Sequence, residues 1–257
     1  MDKEVFSGER YIPEFFWETD EISRFHNSRY DFAIQFVKGK KILDIASGEG
    51  FDSFKLAQSA ELVFGVDKDE AAISRAKNKY QKTNLNFQIG GAVHLDFPDS
   101  YFDIVISFET LEHLNKNDQV SFLSEIRRIL KRDGFLMIST PDKDIYGMGH
   151  NPFHLHELNK KELRRLLGRF FTLKNIYAQD PRKQRSVIAV LMRRSVDKIR
   201  HNSIWPLLQK LIPKRIRKKI DVSTSVYVIV SENSDIYTPR HIEEWESGQY
   251  LVVLCKK

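Results

Sequence analysis

The chain has 257 residues, 41% hydrophobic and 30% charged, which fits one large α/β domain carrying an insertion. Its single cysteine, Cys255, excludes an internal disulfide and a cysteine-built zinc site, and points to a reducing compartment. No apolar run approaches the roughly 20 residues of a membrane span. The charged N-terminus MDKEVFSGERYIPE lacks the apolar stretch of a signal peptide, so the expected location is the cytoplasm.

Residues 1–30 form an N-terminal cap carrying several aromatics. From 41 to 139 strand and helix patterns alternate. KILDIA (41–46) is a strand and FDSFKLAQ a helix. ELVFGVD (61–67) is a strand, followed by a helix from Glu70 to Tyr80. LNFQIG (85–90) and FDIVISF (102–108) are strands. VSFLSEIRRIL (120–130) has helical spacing, Asp133-Gly134 is a turn, and FLMIST (135–140) is a strand. Lys160–Arg169 reads as a helix, FTLKNIYA (171–178) as a sixth strand, and VYVIVS (226–231) and YLVVLCK (250–256) as further candidates, the last preferred as the seventh. Such alternation implies a mostly parallel sheet covered on both faces. The expected domain is single: cap 1–30, cofactor-binding core 31–180, basic helical insertion 181–225 and C-terminal strands 226–257.

The sharpest motif is Asp44-Ile45-Ala46-Ser47-Gly48-Glu49-Gly50, directly after a strand and before a helix. Glycines let the backbone turn sharply and approach a ligand, and the helix N-terminus offers free N–H groups. The bland alternative is an ordinary tight turn. Asp67, at the end of the next strand, suits ribose hydroxyls, or is simply a solvated turn acid.

ILDIASGEGF, VFGVDKDEAAISRAK, FDIVISFETLEHL and LKRDGFLMISTP, in that order, resemble the class I S-adenosylmethionine-dependent methyltransferases over about residues 40–180. The resemblance implies a Rossmann-like seven-stranded sheet with helices on both faces and an antiparallel hairpin at one edge. It implies S-adenosylmethionine as cofactor, with Asp44, Ala46, Ser47, Gly48 and Gly50 in the loop around its methionine part. Asp67 would hold the ribose, Lys68 would stand beside the adenine, and Gly91 and Ala92 would lie at the adenine edge. Phe108 would face the cofactor. Many relatives carry an acid where Gly91 stands, so the adenine amino group would be met by backbone or water. GERYIPE and HNSRYDFA match a subgroup pattern in which an arginine holds the methionine carboxylate, a group suited to a bidentate guanidinium. Arg29 is the first candidate and Arg10 the second; a surface ion pair is the alternative.

Methyl transfer needs an aligned nucleophile and often a group that removes its proton. Glu109, Glu112 and His113 follow the fourth strand, and His154 lies in the segment His150–Glu157 after the fifth. Two carboxylates and two imidazoles suit Mn²⁺, Fe²⁺ or Zn²⁺ better than Mg²⁺. The set is similar to the metal ligands of small-RNA 2′-O-methyltransferases, and a comparable acid-acid-His string occurs in quinone O-methyltransferases. Three readings stay open: a divalent metal on Glu109, Glu112, His113 and His154; His113 or His154 as a metal-free base assisted by Glu112; or a structural role. ISTPDKDIYGMGHNPFHLHEL resembles enzymes of bacterial glycan and polysaccharide biosynthesis, which implies a small-molecule or glycan acceptor with a sugar hydroxyl; an RNA 2′-O-methyltransferase or a quinone or phenol O-methyltransferase is the alternative. Phe15, Phe16, Trp17, Tyr146 and Phe153 would suit stacking on a ring, or would fill a lid core.

Residues 182–219 hold thirteen Lys/Arg and one acid, Asp197, a local charge of +12, while the remaining 28 basic and 34 acidic residues net to −6. This localised charge predicts one anionic partner surface. The readings are a solvated lid, a peripheral contact with an anionic membrane, and, less favoured, nucleic acid. Pro206 and Pro213 would break any helix here. A non-catalytic cofactor-binding scaffold is the non-enzyme alternative, and the intact loop and Glu/His set argue against it.

Overall fold

The computed structural model describes residues 21–146, 151–183, 239–241 and 246–257. Elements alternate as expected. Helix α1 (Glu21–Ile34) precedes β1 (Lys41–Ile45), α2 (Phe51–Leu56), β2 (Leu62–Asp67), α3 (Glu70–Lys79), β3 (Leu85–Ile89) and β4 (Phe102–Phe108). A 3₁₀ turn at Leu111–His113 leads to α4 (Lys116–Ile129), β5 (Leu130–Pro141), the short α5 (Lys143–Tyr146), α6 (Lys160–Leu167), β6 (Thr172–Lys183), β7 (Arg240–His241) and β8 (Glu246–Lys256).

The strands form one sheet in the order β3-β2-β1-β4-β5-β8-β6-β7. The first five are mutually parallel, and β8 runs antiparallel between β5 and β6. Seven strands make the expected Rossmann-like sheet, and the two-residue β7 adds an eighth at the edge. Strand 250–256 takes the seventh place as expected and begins four residues earlier. Candidate strand 226–231 lies outside the described residues. Helix α1 spans the expected cap–core boundary at 30/31, and β6 continues to Lys183, past the expected start of the insertion. Tyr30 and Ala33 of α1 belong to the core, so the end of the cap packs as a domain helix.

The period-two pattern of the strands sorts the core into two layers. Ile42, Val63, Ile104, Ile106 and Met137 meet Tyr30 and Ala33 of α1, Leu56 of α2 and Ile73 of α3 on one face. Leu43, Ile45, Val105, Leu136 and Ile138 meet α4 and α6 on the other. The expected Asp133-Gly134 turn sits inside β5 as an irregularity: Leu130 pairs with Phe102 and Phe135 with Ile104, so the residues between loop out. A Cβ at Gly134 would lie 3.0 Å from the carbonyl oxygens of Asp103 and Lys131.

No helix separates β3 from β4, and one side chain holds the connection. Arg128 donates to the carbonyls of Leu95 and Phe97 (2.8 and 2.7 Å) and to the carboxylates of Asp99 and Glu125. Arg128→Ala should cost on the order of 2 kcal/mol, because several charge-assisted bonds go at once. Urea unfolding should show the midpoint falling at constant slope.

Candidate functional site

The order reverses between β1 and β4, and a crevice opens at the carboxyl ends of strands at such a switch point. The loop after β1 borders it on one side, and Glu109, after β4, on the other. Ala46, Gly48 and Gly50 all have positive φ (62°, 54° and 79°). Gly50 caps α2, where a Cβ would meet the Phe87 ring at 2.5 Å and Ala76 at 2.8 Å. Asp67 draws the turn together: Oδ2 accepts from Gly48 N and Oδ1 from Asp69 N, both at 2.9 Å. Glu49 is held by a two-pronged ion pair with Arg75.

The expected cofactor residues separate into two groups. Asp44 is fully buried and lies beneath the loop. Its Oδ1 accepts from the Tyr30 hydroxyl (2.9 Å) and Oδ2 from Ser53 Oγ (2.6 Å). It braces the loop from below: it has no exposed surface, and its oxygens bind two hydroxyls of the protein. Burial, opposed by the Ser53 hydrogen bond, raises its pKa from 3.8 to about 7. Phe108 is 6% exposed and packs edge-on against Tyr30. Ala46, Lys68 and Gly91 are exposed, Ser47 and Ala92 partly so.

Arg29 is 3% exposed and bonded to Gln179 Oε1 at 2.8 Å, with Glu109 at 3.8 Å and the Tyr250 ring 4.9 Å below its guanidinium carbon. The surface-pair alternative therefore does not describe it. Its Nε and the Ser47 hydroxyl are buried and lack hydrogen-bond partners among the described residues. A Cβ at Gly91 would stand in open space. Positive-φ turns, two orphaned polar groups and an open glycine fit S-adenosylmethionine, whose polar parts Ser47, Gly48 and Asp67 would hold and whose carboxylate Arg29 would meet. Arg10, Phe15, Phe16 and Trp17 lie outside the described residues, as does basic segment 182–219 apart from the backbone of its first two residues.

Across the crevice, Glu109 takes φ 50°, a strained conformation for a residue with a side chain. Its N–H donates to the Ser139 carbonyl (3.2 Å), and Ser139 Oγ donates to its carboxylate (2.6 Å). The buried Glu112 accepts from Thr140 Oγ1 at 3.1 Å. Burial first, and the charge of Glu109 second, push its carboxyl well above the usual range. His113 Nδ1 faces the Phe153 carbonyl (3.1 Å) and His154 Nδ1 the Glu157 carboxylate (2.6 Å). The two rings meet edge to face, 5.0 Å apart. Glu112, His113 and His154 therefore come together; Glu109 turns instead to Ser139 and Arg29. His156 N donates to the Glu112 carbonyl, and Gln119 binds the carbonyls of Leu111 and His156.

Sequence reading assigned no role to Tyr30, Ser53, Ser139, Thr140, Glu157 or Gln179. Ser139 and Thr140 end β5 at the same sheet edge as Glu109, and that position was a usable signal. The other pairings are long-range and carried none. A cavity of about 400 Å³ lined by Phe36, Asp103 and Met137 lies toward the amino ends of β4 and β5, away from this crevice. Among the described residues no helix is long and apolar enough to cross a membrane.

Residues 36–188 match the family model of the methyltransferase domain. A probable S-adenosylmethionine-dependent methyltransferase of Mycolicibacterium smegmatis is 34% identical over 165 residues, 63% of this chain and 62% of that protein. One from Mycobacterium tuberculosis is 33% identical over 63% of this chain and 59% of its own. A ubiquinone biosynthesis O-methyltransferase of Coxiella burnetii is 34% identical over 42% of this chain and 46% of its own. The chain thus spans about 60% of the length of the mycobacterial relatives. Among solved structures, a protein from Pyrococcus horikoshii superposes with TM-score 0.57 at 23% identity over 69% of this chain and 94% of its own. A putative methyltransferase of Bacillus halodurans gives 0.54 at 18% over 88% and 96%.

Two outcomes test this geometry. The unfolded Asp44 carboxyl ionises near 3.8 and the folded one near 7, so folding takes up a proton between these values. Stability falls as pH rises through that window, by up to about 4 kcal/mol, with the full penalty present above it. Asp44→Asn should therefore gain on the native protein between pH 4 and pH 8, as read by denaturant midpoints at each pH. Asp67→Ala combined with Gly48→Val should weaken S-adenosylhomocysteine binding at least tenfold by calorimetry. With the loop, the switch-point geometry and the matching model in place, the chain belongs to the methyltransferase domain family.

Proposed function

We propose that the chain transfers a methyl group from S-adenosylmethionine to a hydroxyl oxygen, with a sugar hydroxyl of a glycan, nucleotide sugar or lipid-linked saccharide as the acceptor class. The observation that carries this reading is the convergence of Glu112, His113 and His154 on the acceptor side of a cofactor crevice. Asp44 bonds to Tyr30, the neighbouring Arg29 lies 3.8 Å from Glu109, and the charge of Glu109 acts on Glu112.

S-adenosylmethionine supplies a methyl group on a positively charged sulfur. The chain's own work is to hold the acceptor oxygen in line and to take its proton. A phenol ionises near 10 and needs modest help. An aliphatic alcohol is a weaker acid and needs a positioned base or a cation. Two imidazoles beside a carboxylate are a larger provision than a phenol requires, which favours the alcohol. Phe153, 46% exposed and carrying the carbonyl that holds His113, offers an apolar face beside the cluster for a sugar ring. The second reading, a phenolic or quinol acceptor, rests on the similarity to the ubiquinone biosynthesis O-methyltransferase.

A turnover screen over nucleotide sugars, glycans and phenols, read by release of S-adenosylhomocysteine and by product mass, separates these readings. An O-methylated sugar is the expected product; turnover restricted to phenols supports the second reading. His154→Ala should lower kcat at least a hundredfold and change cofactor affinity less than threefold, because the lost group acts on the acceptor.

A further inference from the structure

Ligand atoms of Glu112, His113 and His154 lie within 4.8 Å of one another. The second layer around them is equally ordered. The Phe153 carbonyl and the Glu157 carboxylate each face the Nδ1 of one histidine. An imidazole that donates from Nδ1 keeps its lone pair on Nε2, the tautomer that ligates a cation. A carboxylate behind a ligating histidine also raises its basicity. Glu112 is fixed at the other corner by Thr140. The loop carrying His154 is tied down by Asn151, whose Oδ1 accepts from Phe153 N and whose carbonyl accepts from His154 N, and by the His156–Glu112 backbone bond.

We propose that Glu112, His113 and His154 bind one divalent transition-metal ion, with Glu157 as the residue that positions His154. Two imidazole nitrogens and one carboxylate oxygen form the facial set that takes Mn²⁺, Fe²⁺, Co²⁺ or Zn²⁺; Mg²⁺ prefers oxygen alone. Bonds to such ions are near 2.1 Å, so neighbouring ligand atoms stand roughly 3–4 Å apart. The cluster must close by about 1–2 Å at most, within the reach of side-chain rotation. Glu109 is not a ligand, because Ser139 and Arg29 already hold its carboxylate.

Three protein ligands leave positions open for acceptor oxygens. The ion's role toward the acceptor, unlike its binding, rests on the methyltransferase reading above. There it lowers the pKa of the acceptor hydroxyl. The hydroxyl proton passes to solvent, the oxygen–methyl bond forms as the sulfur–methyl bond breaks, and the electron pair stays on sulfur as a neutral thioether.

The test uses the full chain, stripped with a chelator and checked for fold by circular dichroism. Titration with MnCl₂ and CoCl₂, read by electron paramagnetic resonance and visible absorption, should show one equivalent per chain. His154→Ala should lower affinity at least a hundredfold. Glu157→Gln should lower it about tenfold while S-adenosylhomocysteine binding stays within threefold. If either variant misfolds, His113→Asn carries the same expectation. Absence of stoichiometric binding at 1 mM Mn²⁺, Co²⁺ or Zn²⁺, or equal binding by His154→Ala, overturns the proposal. Full turnover by metal-free protein overturns the ion's role and leaves methyl transfer intact; stoichiometric metal without turnover on any hydroxyl supports the ion and sinks the methyltransferase reading.

Discussion

The Asp44 carboxylate is the constraint on which the site depends. It sits at the carboxyl end of β1 with no solvent contact, and two hydroxyls from different helices converge on it. Tyr30 brings α1 to the sheet, and Ser53 brings the first turn of α2. The Tyr30 bond acts with the Gln179 bonds to Arg29 and to the Phe25 carbonyl to fix the direction in which α1 presents Arg29. Burying a carboxylate is costly, and the raised pKa records the cost. A stability penalty retained at a functional crevice is the usual form of the trade between stability and function.

From this anchor, two pairs of strands in one sheet serve two jobs. The ends of β1 and β2 build the cofactor side through backbone N–H groups and the Asp67 carboxylate. The ends of β4 and β5 build the side proposed for the acceptor, where Ser139 and Thr140 each hold one glutamate. The sides meet at Arg29 and Glu109. Arg29 is shielded by the Tyr250 ring and bonded to Gln179 of β6, so the antiparallel edge contributes directly to the centre. A cation there opposes the effect of the Glu109 charge, which disfavours ionisation of Glu112.

Strand and helix assignments through β5 were legible because their periodicity is local: FDIVISF is buried on both faces and reads as an unbroken apolar run. The cofactor loop was legible because its chemistry is written in consecutive residues, 44 to 50. The Glu/His cluster was legible in its residue types and not in its pairings. Glu109 and Glu112 look equivalent in the sequence, yet Glu109 directly follows β4 and Glu112 lies within the three-residue 3₁₀ turn: one carboxylate faces Arg29 and the other the histidines. Asp44 looked like a ligand residue because of its neighbours; its burial comes from Tyr30 and Ser53, positions 14 residues before and 9 after it. The roles of Gln179 and Glu157 depend on tertiary approach, and no spacing rule carries that.

The 151–159 loop shows how such approach becomes chemistry. It has no regular secondary structure, so its order must come from specific bonds. Asn151 closes a turn, His156 bonds to the Glu112 backbone, and Gln119 of α4 clamps His156 on both its carbonyl and its ring. The following residues start α6 with a reciprocal cap between Asn159 and Glu162. His154 is thus suspended between two fixed points, and Glu157 sets its ring from within the same loop. Phe153 and Leu155 flank it and remain exposed, 46% and 64%. Apolar side chains left outward on a segment this strongly tethered are not the product of looseness. The tethers spend their hydrogen bonds on the histidine and the backbone, which leaves the apolar faces of Phe153 and Leu155 as the exposed part of the loop, available to the acceptor proposed above.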